Sequence, residues 1–313
     1  MPGWKIGVSP ESASSFPLNY KLQRLIPLVS PSLSLRIAQG PFAAFGCCER
    51  YRDCNLSRMN KLPPAVLGLL IVNIVAFVVG LISPHMSDQM VVMGALWYPA
   101  NEHFGLWQVV SYMFLHGGMG HIFFNMFALV SFGKILESQW GSVRFLTFYF
   151  LCGLGAALIQ TGINWYEFQS IYDRLITAGL TPPVINEIIT TGGGYLPADP
   201  KSREMLIELY SIQASPMLGA SGAIYGVLVA FGVLYPNAKL SLMFIPAPVA
   251  AKYFIPGLLL LDLLSGVTGF SLFGGNIAHY AHLGGALIGF LLMLLWRKRS
   301  QPSLERTLTD GKW

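Results

Sequence analysis

Charged residues are scarce in this sequence: Asp, Glu, Lys and Arg make up 11% of its 313 residues, whereas 53% are hydrophobic. Soluble globular domains carry about 25% charged residues. This scarcity, together with a mean hydropathy of +0.54, excludes a soluble globular domain. The composition predicts a polytopic membrane protein.

Cysteine is also scarce, and the sequence contains no HExxH motif. Three of the four cysteines, Cys47, Cys48 and Cys54, lie in a polar N-terminal region, while Cys152 lies in an apolar run. Neither a disulfide framework nor a paired CxxC zinc site follows from these positions. We see no tight carboxylate–histidine cluster with ligand spacing and therefore expect neither a metal nor a cofactor.

The net charge of +5 raises the question of an anionic partner. The basic residues are scattered and lie mostly next to apolar runs, so they indicate membrane orientation rather than a nucleic-acid surface. The expected partners are the lipid bilayer and other membrane proteins.

Residues 1–58 contain no apolar run long enough to cross a membrane, and they hold seven basic and three acidic residues. A transit peptide is one interpretation of that bias. The other is a start codon assigned too far upstream, with Met59 as the true initiator, which we favour because Met59-Asn60-Lys61 directly precedes an apolar segment. We expect 1–58 to be a disordered or spurious extension, 59–299 to form the membrane domain and 300–313 to be a cytoplasmic tail.

Six apolar segments are long enough, at about 20 residues each, to be membrane helices. They are Pro63 to Ile82, Met119 to Leu136, Val143 to Ile163, Gly219 to Tyr235, Ala247 to Val267 and Asn276 to Trp296. The connection 164–218 is too long to lack structure, and helix-like patterning predicts helices over 165–178, 182–190 and 199–212. The predicted fold is all-α: a bundle of six transmembrane helices with a helical outer-face insertion between helices 3 and 4.

Charge placement predicts the orientation of this bundle. Lys and Arg cluster before the first segment and after the last, whereas the connections 83–118 and 269–275 contain neither residue. By the positive-inside rule both termini are cytoplasmic, and we expect a bacterial inner (plasma) membrane. All six histidines then lie in the outer half or the outer loops. The aromatic loop 83–118 is expected to lie half-buried in the outer leaflet.

Two glycine-containing motifs suggest a reactive serine. Ser221 is followed by Gly222 and Gly226, and His282 is followed by a further pair of glycines at the same spacing, Gly285 and Gly289. Small residues four apart let two membrane helices approach closely, so Ser221 Oγ could reach a ring nitrogen of His282. A base next to a serine hydroxyl activates it as a nucleophile. Each motif alone is more often a packing device, but an ionisable residue at membrane depth indicates a functional site.

A third motif opens the second apolar segment, where His121 and Asn125 lie four residues apart on one helical face. An imidazole N–H and an amide NH₂ are suitable donors to the oxyanion of acyl transfer. Considered without the other motifs, His121 and Asn125 could equally form a polar contact between helices.

Together these motifs resemble the rhomboid intramembrane serine proteases, over roughly residues 60 to 298. The resemblance implies a six-helix bundle with Ser221 as nucleophile and His282 as general base. It also implies an oxyanion hole formed by His121, Asn125 and the backbone amide of Ser221, and a ring of Tyr225 stacked on His282. His279 is a competing base, but the glycines at plus three and plus seven match the family only from His282. His116 is assigned to loop structure.

Two features bear on that resemblance. Asp262 is the one carboxylate within an apolar run. We expect it to lie too deep in the fifth helix to orient His282, and the resemblance implies a Ser-His dyad without an acid. We therefore interpret Asp262 as a polar group that joins two helices. The family also commonly has Trp-Arg in the first outer loop, with the arginine bracing the loop through a glutamate at the end of the second helix. Here the pair is Trp107-Gln108, and Glu137 keeps the acidic position.

The leading hypothesis is therefore an endopeptidase that cleaves transmembrane substrates near their outer ends. A proteolytically inactive membrane binder or chaperone of the same fold is the alternative. A metal protein or transporter, suggested by the six histidines, is the third.

Overall fold

A computed structural model describes residues 61–194, 196–240, 248–269 and 277–297, with the side chain of residue 297 left out. The predictions for 1–58 and 300–313 fall outside the described residues. Within them the chain is mostly helical. The helices are α1 (Pro64–Ile82), α2 (Pro84–Gly94), α3 (Gln108–Ser111), α4 (Met119–Ala128), α5 (Lys134–Trp140), α6 (Ser142–Thr177), α7 (Pro182–Thr191), α8 (Pro200–Ala214), α9 (Ser221–Leu234), α10 (Ala251–Thr268) and α11 (His279–Arg297).

Shorter elements complete this order. A 3₁₀ turn, Tyr112–Phe114, follows α3, and a π-helical turn, Leu129–Gly133, joins α4 to α5. Two short antiparallel strands, β1 (Lys239–Leu240) and β2 (Val249–Ala250), precede α10.

The prediction of an all-α membrane bundle is confirmed, with one difference. Among the described residues, five helical stretches are long and apolar enough to cross a membrane: 64–82, 119–140, 142–177, 251–268 and 279–296. The fourth predicted segment forms α9, which has only 14 residues, nine of them buried. At 1.5 Å per residue α9 is about 21 Å long, shorter than the roughly 30 Å hydrocarbon core. Its first residue, Ser221, consequently lies inside the bundle, between the fully buried Ala220 and Ala223.

Helix α6 joins the bundle to the insertion. It continues without interruption for 36 residues, through the predicted end of the third membrane segment and through the first helix predicted for the insertion. The end of α6 packs with α7 and α8 around a separate apolar core that includes Ile171, Leu175, Ile185 and Leu206. The three-helix insertion was predicted correctly, but its first helix is continuous with the membrane helix.

Glu137 has a different role from the one that the family pattern suggested. Its carboxylate oxygens accept hydrogen bonds from the backbone N–H groups of Ala65 and Val66, at 2.8 and 2.7 Å, and from the Ser142 hydroxyl at 2.7 Å. These two N–H groups belong to the first turn of α1, and Pro63, the residue immediately before that helix, supplies no side-chain cap. Glu137 therefore caps α1, at the opposite end of α4–α5 from the outer loop, and does not brace that loop.

The first outer loop is held instead by Gln108, which is fully buried. Its Nε2 donates to the carbonyl of His103 at 2.7 Å, and its Oε1 accepts from the backbone N–H of Trp97 at 3.3 Å. The amide thus joins Trp97 and His103, whose rings also contact each other edge-on with centroids 5.0 Å apart. The residue that stands in place of the family's arginine therefore holds the loop through hydrogen bonds of its own, without Glu137.

This arrangement predicts that Gln108→Ala loosens the loop. The substitution leaves a buried N–H and a buried carbonyl without partners, which typically costs about 1–3 kcal/mol each. Hydrogen exchange of the amides between residues 95 and 110 should accelerate. The matched control is Gln89→Ala, an exposed glutamine of α2 in the same connection, for which exchange should not change. Equal exchange in both variants would contradict the bracing role.

Candidate active site

Ser221 and His282 meet inside the bundle. Ser221 is the first residue of α9, His282 lies in the first turn of α11, and the Ser221 Oγ lies 2.8 Å from His282 Nε2. The histidine side chain is 12% exposed. The predicted proximity of hydroxyl and imidazole is therefore confirmed, in a geometry that permits proton transfer.

Four glycines allow α9 and α11 to pack closely enough for the contact between Ser221 and His282. A Cβ added to Gly285 would lie 1.8 Å from the carbonyl oxygen of Gly222, and one added to Gly289 would lie 2.7 Å from the Cα of Gly226. Real Cβ atoms do not approach backbone atoms so closely, so α9 and α11 touch backbone to backbone. The predicted packing role of all four glycines is confirmed.

Tyr225 contacts the histidine from one side. Its ring stacks on the His282 ring, with centroids 4.2 Å apart and planes 12° from parallel, as the resemblance implied. Its hydroxyl donates a hydrogen bond to Oδ2 of Asp262. Tyr225 thereby limits rotation of the imidazole and contacts the acidic group beside it.

The expectation that Asp262 lies too deep to orient His282 is wrong. Oδ1 of Asp262 lies 3.1 Å from His282 Nδ1, on the opposite side of the ring from Ser221. Asp262 lies six residues before the end of α10 and His282 three residues after the start of α11. A Cβ added to Gly266 of α10 would lie 3.4 Å from the Cβ of His279, so the start of α11 lies beside the end of α10 and His282 is within side-chain reach of Asp262.

His279 completes a cluster that the sequence analysis did not anticipate. Its Nδ1 lies 2.6 Å from the same Oδ1 of Asp262, so the competing histidine contacts the acid and not the serine. The ligand-type atoms of Asp262, His279 and His282 all lie within 4.8 Å of one another. The expectation that the chain lacks a tight carboxylate–histidine cluster was therefore wrong; the three groups satisfy one another by hydrogen bonding.

His121 lies on the other side of the serine. The backbone N–H of Gly117 points to His121 Nδ1 at 3.4 Å, which makes Nδ1 the acceptor and leaves the proton on Nε2. A Cβ on Gly219 would lie 2.7 Å from that Nε2, so the ring edge faces the segment immediately before Ser221. Gly219 has a φ of +127°, which favours glycine. The imidazole N–H is thus available close to the hydroxyl.

Asn125 lies one turn further along α4 and is 6% exposed. Its Nδ2 donates to the carbonyl of His121 at 2.9 Å, which occupies one of its two N–H bonds. His116, assigned from sequence to loop structure, contacts His121 edge-on with ring centroids 4.9 Å apart. Burial and the neighbouring His121 lower the pKa of His116 to about 4, so it is neutral at physiological pH.

The first outer loop contacts both the end of the insertion and the segment that leads to the serine. Leu96 of the first outer loop pairs with Met217 through a pair of backbone hydrogen bonds of 2.8 Å. The side-chain amide of Asn101 donates to the carbonyl of Gln213, also at 2.8 Å. These bonds connect the end of α8, the outer loop and the approach to Ser221.

The fold and site define a class: a multi-pass helical membrane protein that holds a serine hydroxyl against a histidine between two closely packed helices. A Rhomboid domain matches residues 103–185 and 188–299, more than half of the chain. The chain belongs to the rhomboid family.

Its relatives support that assignment. It is 27% identical over 206 residues to Rhomboid protein 1, mitochondrial, of Saccharomyces cerevisiae, covering 66% of this chain and 46% of the relative. It is 30% identical over 225 residues to the presenilin-associated rhomboid-like protein A, mitochondrial, of Danio rerio, covering 68% and 46%. It is 25% identical over 213 residues to the rhomboid protease AarA of Providencia stuartii, covering 67% and 63%. The matched part spans about half the length of the first two relatives.

Proposed function

We propose that this protein is a serine endopeptidase that cleaves transmembrane proteins within the membrane, near its outer face. The observation that carries the proposal is the 2.8 Å contact between Ser221 Oγ and His282 Nε2. A hydroxyl is a weak nucleophile and becomes reactive when an adjacent base takes its proton. The relative named as a rhomboid protease supports this activity.

The chemistry follows from the two side chains. His282 Nε2 takes the hydroxyl proton as Ser221 Oγ attacks the carbonyl carbon of the scissile bond. The imidazolium then gives the proton to the leaving amine, the C–N bond breaks, and an ester remains on the serine. Water, deprotonated in turn by His282, hydrolyses that ester and restores the hydroxyl.

The negative oxygen of the tetrahedral intermediate needs hydrogen-bond donors. We propose His121 Nε2–H, the backbone N–H of Ser221 and the free N–H of Asn125. Ser221 is the first residue of α9, and the first N–H groups of a helix have no partner within it and carry partial positive charge. Losing one such donor raises the barrier by about 2.7–4 kcal/mol.

The substrate class follows from the location of the serine. A peptide bond inside a transmembrane helix has its backbone groups hydrogen-bonded, so the helix must unwind before Oγ can attack. We therefore propose substrates with small or helix-destabilising residues near the outer end of a transmembrane segment.

The membrane of residence belongs to the same proposal. The chain is an integral, multi-pass membrane protein, and the basic residues favour cytoplasmic termini if the membrane is a bacterial inner membrane. The comparisons do not support that location over a mitochondrial one, because several relatives are named as mitochondrial.

The test is cleavage of a transmembrane model substrate by purified protein in detergent. Ser221→Ala and His282→Ala should each abolish cleavage, and a fluorophosphonate probe should label the wild type but not Ser221→Ala. Both variants should keep the melting temperature of the wild type.

Two results would reject the proposal. Cleavage that persists in Ser221→Ala would exclude this serine as nucleophile. A folded wild type that neither cleaves nor reacts with the probe would favour the alternative of a proteolytically inactive membrane binding protein. One relative, RHOMBOID-like protein 8 of Arabidopsis thaliana, is named as inactive and is 34% identical over 67 residues.

A further inference from the structure

Asp262 carries a carboxylate into the interior of the bundle, where a charge is costly. Its side chain is 7% exposed, and a buried carboxylate costs several kcal/mol unless it is well hydrogen-bonded. Its two oxygens contact three polar side chains: Tyr225 from α9, and His279 and His282 from α11. An apolar residue would join the helices at lower cost, so packing alone does not account for an acid here.

We propose that Asp262 is a positioning residue that acts through His282, a role that rests on the proposed protease function. A neutral imidazole carries its proton on either ring nitrogen, and only the form with a bare Nε2 can accept the proton of Ser221. Oδ1 of Asp262, 3.1 Å from Nδ1, accepts the N–H of that form and so favours it. The same carboxylate stabilises the imidazolium once the proton has moved to Nε2.

The acid is itself held in place on both of its oxygens. The Tyr225 hydroxyl donates to Oδ2, while the ring of the same tyrosine stacks on His282. His279 Nδ1 lies 2.6 Å from Oδ1, closer than His282. The carboxylate therefore cannot rotate away from His282 without breaking contacts to two different helices.

The first test is Asp262→Asn, a change of similar shape. An amide can turn its NH₂ toward Nδ1 of His282 and thereby favour the form with the proton on Nε2, which cannot act as a base. The corresponding change in Ser-His-Asp proteases lowers kcat about 10⁴-fold. For a transmembrane model substrate we expect kcat to fall at least about 10²-fold and KM to change less than about threefold, since Asp262 acts through His282.

The matched control is Ser265→Ala. Ser265 is a buried polar residue on the same helix, 5% exposed, and lines the same cavity of about 70 Å³ as Asp262, Tyr225 and His279. In the part of the chain that the structure describes, the ring nitrogens of His282 bond to Asp262 and Ser221 and not to Ser265. Both kinetic constants should stay close to those of the wild type.

A rescue experiment separates positioning from folding. Replacing His282 with Nδ1-methylhistidine fixes the ring in the form with a bare Nε2, whatever faces Nδ1. In an Asp262→Ala background, where the lost carboxylate and the adjoining cavity make room for the methyl group, this replacement should restore kcat at least about tenfold. A carboxylate needed only for folding would not be replaced by a methyl group on another residue.

The positioning role is overturned if Asp262→Asn folds and its kcat stays within about threefold of the wild type. If Ser221→Ala is inactive in the same assay, that result leaves the proposed function intact. Absence of rescue also overturns the positioning role. If Asp262→Asn does not fold, Tyr225→Phe removes only one donor to the carboxylate: a several-fold lower kcat at unchanged KM supports the role, and an unchanged kcat overturns it. Cleavage by Ser221→Ala rejects the protease itself.

Discussion

Gly285→Ala should abolish the proposed proteolysis, because the new methyl group would force α9 and α11 apart. The new Cβ would lie 1.8 Å from the Gly222 carbonyl oxygen, whereas ordinary contact begins at 3.4 Å, so the helices must separate by about 1.6 Å. The Oγ–Nε2 distance of 2.8 Å would then exceed hydrogen-bonding range. A misplacement of about 1 Å can cost 10²-fold in rate.

The measurement is cleavage of the model substrate, paired with thermal unfolding in detergent. Gly162→Ala is the matched control, because that glycine lies in helix α6 and an added Cβ meets no atom within 4 Å. The control should retain activity and gain a little helix stability. Wild-type activity in Gly285→Ala would show that α9 and α11 do not pack backbone to backbone.

Glu137→Ala should destabilise the bundle more than any exposed acidic substitution. The carboxylate is 2% exposed and accepts two backbone N–H groups of α1 and one hydroxyl. Hydrogen bonds to charged groups contribute about 1.5–3 kcal/mol each, and the contributions are not additive. We expect a loss of about 3 kcal/mol, concentrated at α1, because many of the large apolar side chains of that helix face outward, including Ile71, Val75 and Leu81.

Hydrogen exchange locates this effect. Exchange at the amides of Ala65 and Val66 should accelerate in Glu137→Ala before global unfolding, and the melting temperature should fall. Glu204→Ala, an exposed glutamate on α8, is the control and should match the wild type. Unchanged protection at the start of α1 would mean that Glu137 is not its cap.

Much of the site could be predicted because it depends on local spacing. Helix faces are defined directly by glycines that lie four residues apart and by a serine and a histidine at fixed offsets from them. The contact between Ser221 and His282 was predicted from those faces. The partners of Asp262, Glu137 and Gln108 could not be predicted in this way. Asp262 and Glu137 contact residues of other helices, and which side chains meet there depends on the rotation and depth of each helix. Gln108 contacts irregular turns of its own loop, where no periodic pattern indicates which groups meet.

The length of α9 was also beyond the sequence pattern. Apolar composition from Gly219 to Tyr235 shows only that the segment avoids water, and a helix enclosed by other helices has the same composition as one that crosses the bilayer. The continuation of α6 beyond residue 163 was not predicted either. Polar residues after 163 suggested that the helix ends there, although no proline or glycine pair stops it.

Helix α6 has a mechanical consequence. At 1.5 Å per residue its 36 residues form a continuous rod about 54 Å long, with the insertion at one end. The middle of α6 contacts α11, because Gln160 Oε1 accepts a hydrogen bond of 3.0 Å from the backbone N–H of Ala281, the residue before His282. A tilt imposed on the end of α6 that packs with α7 and α8 would therefore also move the backbone next to His282, so a molecule bound to the insertion would alter the proposed cleavage without contacting Ser221.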